Sequence, residues 1–329
     1  MDPQVSVILP TYNRAQLLPA AIQSVLDQVY VDLELIVVDD GSTDSTLDIL
    51  HRFTDPRIRV LAQENRGIGS ALNAGIKAAR GSYIARIDSD DRWLPELLTV
   101  EVPILEDKPE AGVAYARAQA MDQDGRPLPQ ILGAPPKYPG DAFKSFVYGD
   151  FGCAITALIR RDPLEKVGFF DETLVGNEDW DLWIRLSRVT RFVFIDRVLA
   201  NFRMHPGRTT AGASGKFAAI TQGRIQVLDK VFSQPSLPAS VLSIRKQAYR
   251  NAHIDAALRW LSAEKQREAL EHFWQAIRLG GNPLVTTARI LYLILFYRYL
   301  SKRAWGIRLV ESLVRARRRM SVFQVGSER

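Results

Sequence analysis

Three carboxylates close together give the sequence its clearest chemical signal. Asp88, Asp90 and Asp91 follow directly on a short apolar segment, residues 83–87, whose pattern predicts a buried strand. Like charges this close repel one another unless a positive group lies among them. A hard divalent cation, which prefers oxygen ligands and also binds phosphate, would neutralise them. The spacing therefore predicts a cation site at the end of a strand, and the alternative is an acidic turn that caps the next helix.

Two further acid pairs stand where chemistry can use them. Asp39 and Asp40 end a second apolar segment, and Glu178 and Asp179 begin a stretch whose apolar residues have helical spacing. Each pair also has a structural interpretation, because acids cap turns and are favoured in the first turn of a helix by its dipole. Cys153 has no histidine near it in the sequence, and burial explains a single cysteine better than nucleophilic catalysis does.

The elements that must position these acids alternate between strand and helix. Strands are predicted at residues 5–9, 35–38, 58–61 and 83–87, and helices between them at 17–28, 46–53 and 68–79, with Gly81 ending the last helix. Such alternation predicts a parallel sheet covered by helices, with ligands at the carboxyl ends of the strands. The loops 10–14, 39–41 and 88–91 share that edge. No glycine-rich dinucleotide fingerprint follows the first strand.

The second half of the chain is less regular and ends in helices. A strand is predicted at 113–118, a surface hairpin within 121–140, short helices at 142–148 and near 162–164, a loop leading into a strand at 152–160, a helix from 177, short strands at 192–195 and 198–202, and helices at 217–232, 241–261 and 267–279. The change of character after about residue 212 predicts a catalytic domain over 1–212, a helical extension over 213–283 and a basic tail over 284–329.

Charge and composition narrow the protein class. The chain has 329 residues, a net charge of +6 and one cysteine, which excludes an intramolecular disulfide and a cysteine-rich zinc site. Residues 284–329 carry ten basic and two acidic side chains, so the basic balance belongs to the tail. The first apolar segment is too short for a signal peptide, which predicts a cytoplasmic location.

The tail predicts contact with a membrane. Its apolar segment 290–297 is too short to span a bilayer, but nearby aromatic residues and the arginines within 315–319 favour a helix lying on an anionic membrane surface, at the inner face. The alternative is a helix packed on the catalytic domain with a solvated basic end. Nucleic acid is not expected as a partner, because no binding motif accompanies the charge.

Three motifs in order carry a family resemblance. Residues 5–14 (VSVILPTYNR), 37–44 (VVDDGSTD) and 88–91 (DSDD) resemble those of family 2 glycosyltransferases, and the resemblance covers roughly residues 4–210. It implies an α/β GT-A fold, which is Rossmann-like and has a mainly parallel sheet with helices on both faces, here followed by an all-α extension at the C-terminus.

The resemblance also implies roles for individual residues. The nucleotide-sugar contacts would be Pro10, Thr11, Tyr12, Arg14, Asp39, Asp40, Arg66, Asp88, Ser89, Asp90, Arg203 and Arg208. The ligands of Mg²⁺ or Mn²⁺ would be Asp88, Asp90, Asp91 and His205, with Asp90 or Asp91 in direct contact. Asp179 would be the catalytic base with Glu178 beside it, and Asp40 would be the likelier contact to a uracil ring N–H. Many relatives carry Arg-Asn where this chain has Leu72-Asn73, so Arg66 or Arg86 would supply that positive charge.

The implied activity is a metal-dependent, inverting, hexosyl-type transfer. The donor would be a UDP- or dTDP-linked sugar, and the acceptor a glycan or lipid-linked molecule in surface polysaccharide biosynthesis. Two alternatives remain open at this point. One is an inactive, transferase-like membrane scaffold. The other is a nucleotidyltransferase, although the glycine-rich, lysine-containing loop usual in that class is missing after the first strand.

Overall fold

The computed structural model describes residues 2–149, 152, 154–205, 207, 217–263 and 265–280. The chain forms two compact units that divide between Ala248 and Tyr249. The predicted boundaries near residues 212 and 283 both fall outside the described residues, as do Cys153, Arg208 and the predicted membrane-binding tail.

A nine-stranded sheet forms the centre of the first unit. Its strands are β1 (Val5–Thr11), β2 (Leu33–Asp39), β3 (Ile58–Ala62), β4 (Tyr83–Arg86), β5 (Arg92–Trp93), β6 (Ala111–Met121), β7 (Pro127–Leu132), β8 (Leu158–Arg160) and β9 (Arg191–Arg203). They lie in the order β3-β2-β1-β4-β8-β6-β9-β5, and β7 pairs with β6 outside this path. The first four are parallel, β8 is antiparallel to both of its neighbours, and β6 and β9 are parallel. The predicted α/β architecture is confirmed.

The helices follow the strands as the alternating pattern predicted. They are α1 (Leu18–Leu26), α2 (Thr46–Leu50), α3 (Ile68–Ala78), α4 (Leu97–Asp107), α5 (Ala142–Tyr148), α6 (Arg161–Val167), α7 (Glu178–Leu186), α8 (Phe217–Phe232), α9 (Ala239–Leu242), α10 (Arg245–Ser262) and α11 (Gln266–Arg278). Every residue of β1 and β2 is buried, as expected for parallel strands with both faces covered. Neither β5 nor α4 was predicted.

Two predicted details are wrong for local reasons. Gly81 does not end α3, which stops at Ala78. It lies against the backbone of β1, where an added Cβ would come within 2.6 Å of the Ser6 nitrogen. The two short strands predicted at 192–195 and 198–202 are one strand, β9, whose register against β6 shifts between Ile195 and Val198. The shift accommodates the polar residues between them as a bulge.

A buried acid with charged partners lies at the amino ends of the strands, opposite the predicted ligand edge. Glu34 in β2 is buried and accepts hydrogen bonds from the Ser6 hydroxyl at 2.8 Å and from the Arg80 backbone at 2.8 Å. Its other oxygen pairs with the guanidinium groups of Arg59 and Arg80. This cluster ties β1, β2 and β3 to the segment before β4.

The carboxyl group of Glu101 in α4 is buried without such partners. The side chain is fully enclosed, and within the described part of the chain neither of its oxygens has a hydrogen-bond partner. Burial raises the pKa of Glu101 well above its usual value of 4.5. The folded protein therefore holds this proton more tightly than the unfolded chain does. The stability linked to this proton is fully present below pH 4.5 and is lost as the pH rises through the folded-state pKa, because the ionised carboxylate is costly to bury.

Substitution of Glu101 is accordingly expected to stabilise the fold. Glu101→Met should raise the free energy of unfolding by about 1–3 kcal/mol at pH 8, because it removes a buried polar group that has no hydrogen bond. Glu101→Gln should flatten the pH dependence of stability. Urea unfolding between pH 5 and 9 measures both effects, with Asp107→Asn, an exposed acid on the same helix, as the control. As the pH rises, the free energy of unfolding of the wild type should fall relative to that of Glu101→Gln. If it does not, the prediction is wrong.

The second unit contains a helical hairpin. Ala257 of α10 packs with Ala269 and Phe273 of α11. The predicted helical hairpin is therefore confirmed, but the single helix predicted at 241–261 is divided between α9 and α10. The Nδ1 atoms of His253 and His272 are 3.0 Å apart, and burial, with the charge of His272 adding, lowers the pKa of His253 to about 4. Within the part of the chain that the structure describes, none of the helices combines the length and apolar character needed to cross a bilayer.

Candidate active site

The loops that follow β1 and β2 are joined by Asn13. Its backbone N–H donates to the Ser42 hydroxyl at 2.9 Å, and its side-chain oxygen accepts from the Thr43 backbone at 2.8 Å. The Asp40 backbone donates to the Thr11 carbonyl at 2.9 Å. Asn13 has a φ of +51°, which asparagine tolerates better than most residues. Two of the three predicted loops therefore form one surface at the carboxyl ends of the strands.

The two acids after β2 have different surroundings. The carboxylate of Asp40 accepts from Gln63 Nε2 at 2.7 Å and from the backbone N–H groups of Arg66 and Gly67 at 2.9 and 2.8 Å. Asp40 thus holds the loop that leads into α3. Asp39 is also buried, and its Oδ2 accepts from the Ser42 backbone at 3.1 Å. Among the described residues its Oδ1 has no hydrogen-bond partner.

The hydroxyl of Thr11 has no partner among the described residues either, and Thr11 is the register partner of Asp39 in the adjacent strand. Buried polar atoms without partners are rare in folded proteins. Two of them on neighbouring strands, at the edge where ligands bind in such sheets, indicate a place for a polar ligand group.

The acids after β4 form a compact cluster. One oxygen each of Asp88, Asp90 and Asp91 lies within 4.8 Å of the others. His205 joins them, with its Nε2 at 2.8 Å from Asp90 Oδ2. Asp91 is fully buried, and its Oδ1 accepts from the Arg203 backbone at 2.7 Å. Three clustered carboxylates are the donor set that a hard divalent cation prefers, so these residues fit Mg²⁺ or Mn²⁺.

Arg203 supports this cluster through the main chain. Its Nε donates to the Asp90 carbonyl at 2.8 Å, and its Nη1 donates to the carbonyls of Gln123 at 2.8 Å and Asp122 at 3.3 Å, in the turn between β6 and β7. Burial, with the nearby charge of Arg92, lowers the pKa of Arg203. These bonds anchor the acidic loop to the hairpin, and the phosphate contact predicted for Arg203 stays a prediction.

The other residues predicted to contact the donor differ in how deeply they are buried. Pro10 is buried within β1, and Ser89 is buried between the acids of the cluster. Tyr12 is 44% exposed at the rim, where a nucleoside could stack on its ring, and Arg66 is also exposed. Arg14 reaches the segment after β9, with its Nη2 donating to the Gly207 carbonyl at 2.7 Å.

Glu178 and Asp179 begin α7 and differ in accessibility. Glu178 is buried, with Oε1 at 3.5 Å from Arg86 Nη1 and, among the described residues, no hydrogen-bond partner for Oε2. Burial, with the charge of Asp179 adding to it and that of Arg86 opposing it, raises the pKa of Glu178 to about 7. Asp179 is half-buried, and its Oδ1 accepts from the Trp180 backbone at 2.8 Å. A ligand can therefore approach Asp179 more easily than Glu178.

Residues from two other helices, α3 and α8, hold α7 and the segment before it. Asn73 in α3 exchanges hydrogen bonds with the backbone of Phe170 at 2.9 Å. Lys230 in α8 binds Asp171 at 2.8 Å and Asp181 at 2.6 Å. Burial would raise the pKa of Asp171, but the contact with Lys230 and hydrogen bonds from Thr173 lower it to about 2. The Asn177 amide donates to the Ile220 carbonyl at 2.8 Å. Sequence reasoning missed these contacts, because each joins segments far apart in the chain.

Arg86, which the sequence offered only as a substitute cation, lies between the two groups of acids. Its Nε donates to Asp88 Oδ1 at 2.9 Å, and its Nη1 faces Glu178. It is the described residue that contacts acids of both the β4 loop and α7. The structure therefore brings together Asp88, Asp90, Asp91 and His205, and joins them to Glu178 through Arg86.

Comparisons with known proteins show which family the chain is similar to. The family model described as "Glycosyl transferase family 2" matches residues 6–168. An uncharacterized glycosyltransferase of Rickettsia typhi is 34% identical over 237 residues, which cover 70% of this chain and 74% of that protein. Chondroitin synthase of Escherichia coli is 31% identical over 212 residues, covering 63% of this chain but only 30% of the synthase.

Two solved structures share the fold. TarS 1–349 of S. aureus in complex with UDP-GlcNAc superimposes with a TM-score of 0.63 at 18% identity, covering 90% of each chain. The mannosyltransferase PcManGT of Pyrobaculum calidifontis, in complex with GDP-Man and Mn²⁺, superimposes with a TM-score of 0.60 at 22% identity, covering 93% of this chain and 86% of the other. At these sequence identities the similarity shows a shared fold and no more.

Proposed function

Because the chain belongs to glycosyl transferase family 2, we propose that it transfers a sugar from a nucleoside diphosphate sugar to a glycan or lipid-linked acceptor, with inversion and with a divalent cation. One observation carries the proposal. Three groups of acids with different surroundings lie at the carboxyl ends of β2 and β4 and at the start of α7, and Arg86 joins the last two. Each group suits a different part of such a reaction.

The first group would bind the base of the donor. Uracil and thymine offer a ring N–H at the same position, and a carboxylate oxygen accepts it. At the ends of β1 and β2, the Thr11 hydroxyl and Asp39 Oδ1 are buried and have no hydrogen-bond partner among the described residues, so Asp39 takes the role that the sequence favoured for Asp40. A UDP- or dTDP-linked donor fits this site, and UDP-GlcNAc is the donor that TarS holds.

The roles of Asp39 and Asp40 can be separated by substitution. Asp39→Asn is expected to weaken UDP binding roughly 10- to 100-fold, since a hydrogen bond to a charged group contributes about 1.5–3 kcal/mol. Asp40→Asn should instead lower the melting temperature, because its carboxylate accepts three internal bonds. Isothermal titration with UDP and thermal unfolding measure the two effects. Equal losses of UDP affinity in both variants would contradict the assignment.

The second group would hold the cation and the diphosphate. Asp88, Asp90, Asp91 and His205 are the residues placed to hold Mg²⁺ or Mn²⁺. A bound divalent cation stabilises the negative charge that builds on a departing diphosphate. Arg14 and Arg66 lie at the same edge and would add positive charge around the phosphates.

The third group would serve the acceptor. Inversion requires one in-line displacement, with a base on the acceptor hydroxyl and the diphosphate leaving on the opposite side. Asp179 is half-buried and would take the proton of that hydroxyl, while the buried Glu178 lies beside it. The acceptor oxygen then bonds to the anomeric carbon as the bond from that carbon to the diphosphate breaks. No covalent enzyme nucleophile is needed.

A panel of nucleotide sugars tests the proposal directly. Purified full-length protein is expected to hydrolyse at least one UDP- or dTDP-sugar slowly in the presence of Mn²⁺ or Mg²⁺, with water replacing the acceptor. Release of nucleoside diphosphate is the measurement, and GDP-sugars are the comparison. If no donor is hydrolysed and no nucleoside diphosphate binds with either metal, the proposal fails and an inactive scaffold explains the chain better.

The setting we propose is surface polysaccharide assembly at the inner face of a membrane. Its support is the similarity to chondroitin synthase, whose name indicates a polysaccharide product, and the basic, aromatic composition of residues 284–329.

Flotation with liposomes tests the membrane part of this proposal. The full chain is expected to float with vesicles that contain about a third phosphatidylglycerol, and to stay behind with neutral phosphatidylcholine vesicles, because the tail has a net charge of +8. Replacing the arginines at 315 and 317–319 with glutamine should abolish flotation in 0.15 M salt. Equal flotation with neutral vesicles, or none with anionic ones, would contradict the prediction.

A further inference from the structure

We propose that Arg86 is a positioning residue that fixes the acceptor-side acid Glu178 relative to the cation-binding acid Asp88. The proposal rests on the proposed function and adds to it a coupling between the two halves of the site. Its basis is the bridge formed by one guanidinium, which is 2.9 Å from Asp88 and 3.5 Å from Glu178.

The bridge is enclosed by the protein. The side chains of Arg86, Asp88 and Glu178 are 11%, 19% and 4% exposed. Burial alone would lower the pKa of Arg86, but the charges of Asp88, Glu178 and Asp179 outweigh it and raise that pKa. The guanidinium therefore stays charged. Breaking a buried pair by removing one partner leaves an uncompensated charge, which is more costly than losing an exposed salt bridge.

Nothing else that the structure describes can replace this link. Within the described residues, Arg86 is the cation at ion-pair distance from Asp88 and also the one at that distance from Glu178. Asp88 follows β4 and Glu178 begins α7, so the two acids belong to elements about 90 positions apart in the chain. The planar guanidinium addresses them through different nitrogens, whereas a lysine would offer a single point charge.

The Arg86 bridge would keep the acceptor side and the diphosphate side of the site aligned. An in-line displacement needs the base side and the leaving-group side on one axis, and a misplacement of about 1 Å can cost about 10²-fold in rate. Arg86 touches neither the acceptor nor the reacting carbon in this proposal. It acts by holding Glu178, and through it the start of α7, at a fixed distance from the acidic loop.

A double-mutant cycle on full-length protein tests the coupling. Arg86→Gln and Glu178→Gln are each expected to lower the turnover number for hydrolysis of the active UDP-sugar by about 10²-fold. The double variant should be no more than about threefold worse than either single variant, because both remove the same link. Arg86→Lys, which keeps the charge, should recover about tenfold over Arg86→Gln. If the losses of turnover in the two single variants multiply in the double variant, the proposal is wrong.

Two readouts are independent of turnover. Titration of UDP in the presence of Mn²⁺ should show weaker binding for Arg86→Gln, which frees Asp88, and unchanged binding for Glu178→Gln. Thermal unfolding should show the double variant to be more stable than Arg86→Gln, since it no longer buries the carboxyl group of Glu178 without its partner. If UDP affinity falls equally in both single variants, the division of roles is wrong.

The Arg80–Glu34 pair supplies the matched control. It also joins an arginine to a buried glutamate, at 3.0 Å, but at the opposite edge of the sheet. Arg80→Gln, Glu34→Gln and their double variant are expected to change the melting temperature while leaving turnover and UDP affinity per folded molecule unchanged. A comparable loss of turnover in these controls would show that the Arg86 effect is only structural. Absence of donor hydrolysis by the wild type would instead count against the proposed function itself.

Discussion

Replacing Asp179 with asparagine is expected to lower the rate of donor turnover by about 10²–10⁴-fold, the usual contribution of a general base. The carboxylate lies in the first turn of α7 and is half-buried, and one of its oxygens accepts from the Trp180 backbone. Asparagine keeps the size and that hydrogen bond but cannot take a proton. UDP affinity in the presence of Mn²⁺ should stay within about twofold of the wild type, because Asp179 serves the acceptor.

Asp181 provides the comparison for this variant. It lies in the same first turn but binds Arg185 at 2.8 Å and Lys230 at 2.6 Å. Asp181→Asn is therefore expected to act mainly on the melting temperature and little on the turnover number. If Asp179→Asn lost stability instead of turnover, Asp179 would be a helix-dipole residue, the structural alternative that the sequence left open.

Loss of the cation is expected to have an effect of similar size. EDTA should abolish donor hydrolysis and weaken UDP binding at least tenfold, and added Mn²⁺ or Mg²⁺ should restore both. The physical reason is that a diphosphate and the acids Asp88, Asp90 and Asp91 repel one another unless a divalent cation lies between them. Hydrolysis assays and isothermal titration, each with and without EDTA, measure the loss.

Substitutions within the cluster refine this prediction. Asp91→Asn and Asp90→Asn should each remove most of the Mn²⁺-dependent part of UDP binding, and in EDTA both variants should bind UDP at least as tightly as the wild type does. Asp91 also accepts from the Arg203 backbone, so the melting temperature of Asp91→Asn is measured alongside. Turnover that survives EDTA would refute metal dependence.

Local pattern was enough to predict the fold class and the order of most elements. Continuous apolar segments and apolar residues at helical spacing mark the residues that β1, β2 and α3 bury, and both signals can be recognised within one segment. The helix from Glu178 was predicted correctly from its apolar spacing, and the hairpin at Asp124-Gly125 from its turn residues. β5 has only two residues and pairs with β9, which is distant in the sequence, so no local pattern predicts it.

The acids were found from sequence because three motifs end strands whose carboxyl ends must share one edge. The sequence does not show which carboxylate oxygens at that edge are available to a ligand. Asp39 and Asp40 are adjacent and chemically identical, yet within the described part of the chain Asp40 accepts three hydrogen bonds from the segment before α3 and Asp39 Oδ1 accepts none. The distinction depends on Gln63, Arg66 and Gly67, which no spacing rule connects to Asp40.

The sequence by itself therefore determined the family, the α/β architecture and the candidate acids, because these follow from residue type, order and periodicity. The tertiary structure decided how the acids are used: that Arg203 holds the acidic loop through carbonyl groups, that Glu178 is buried while Asp179 is accessible, and that Arg86 joins Asp88 to Glu178. The physical reason is that burial and pairing depend on side chains from distant segments, and these meet only when the chain folds.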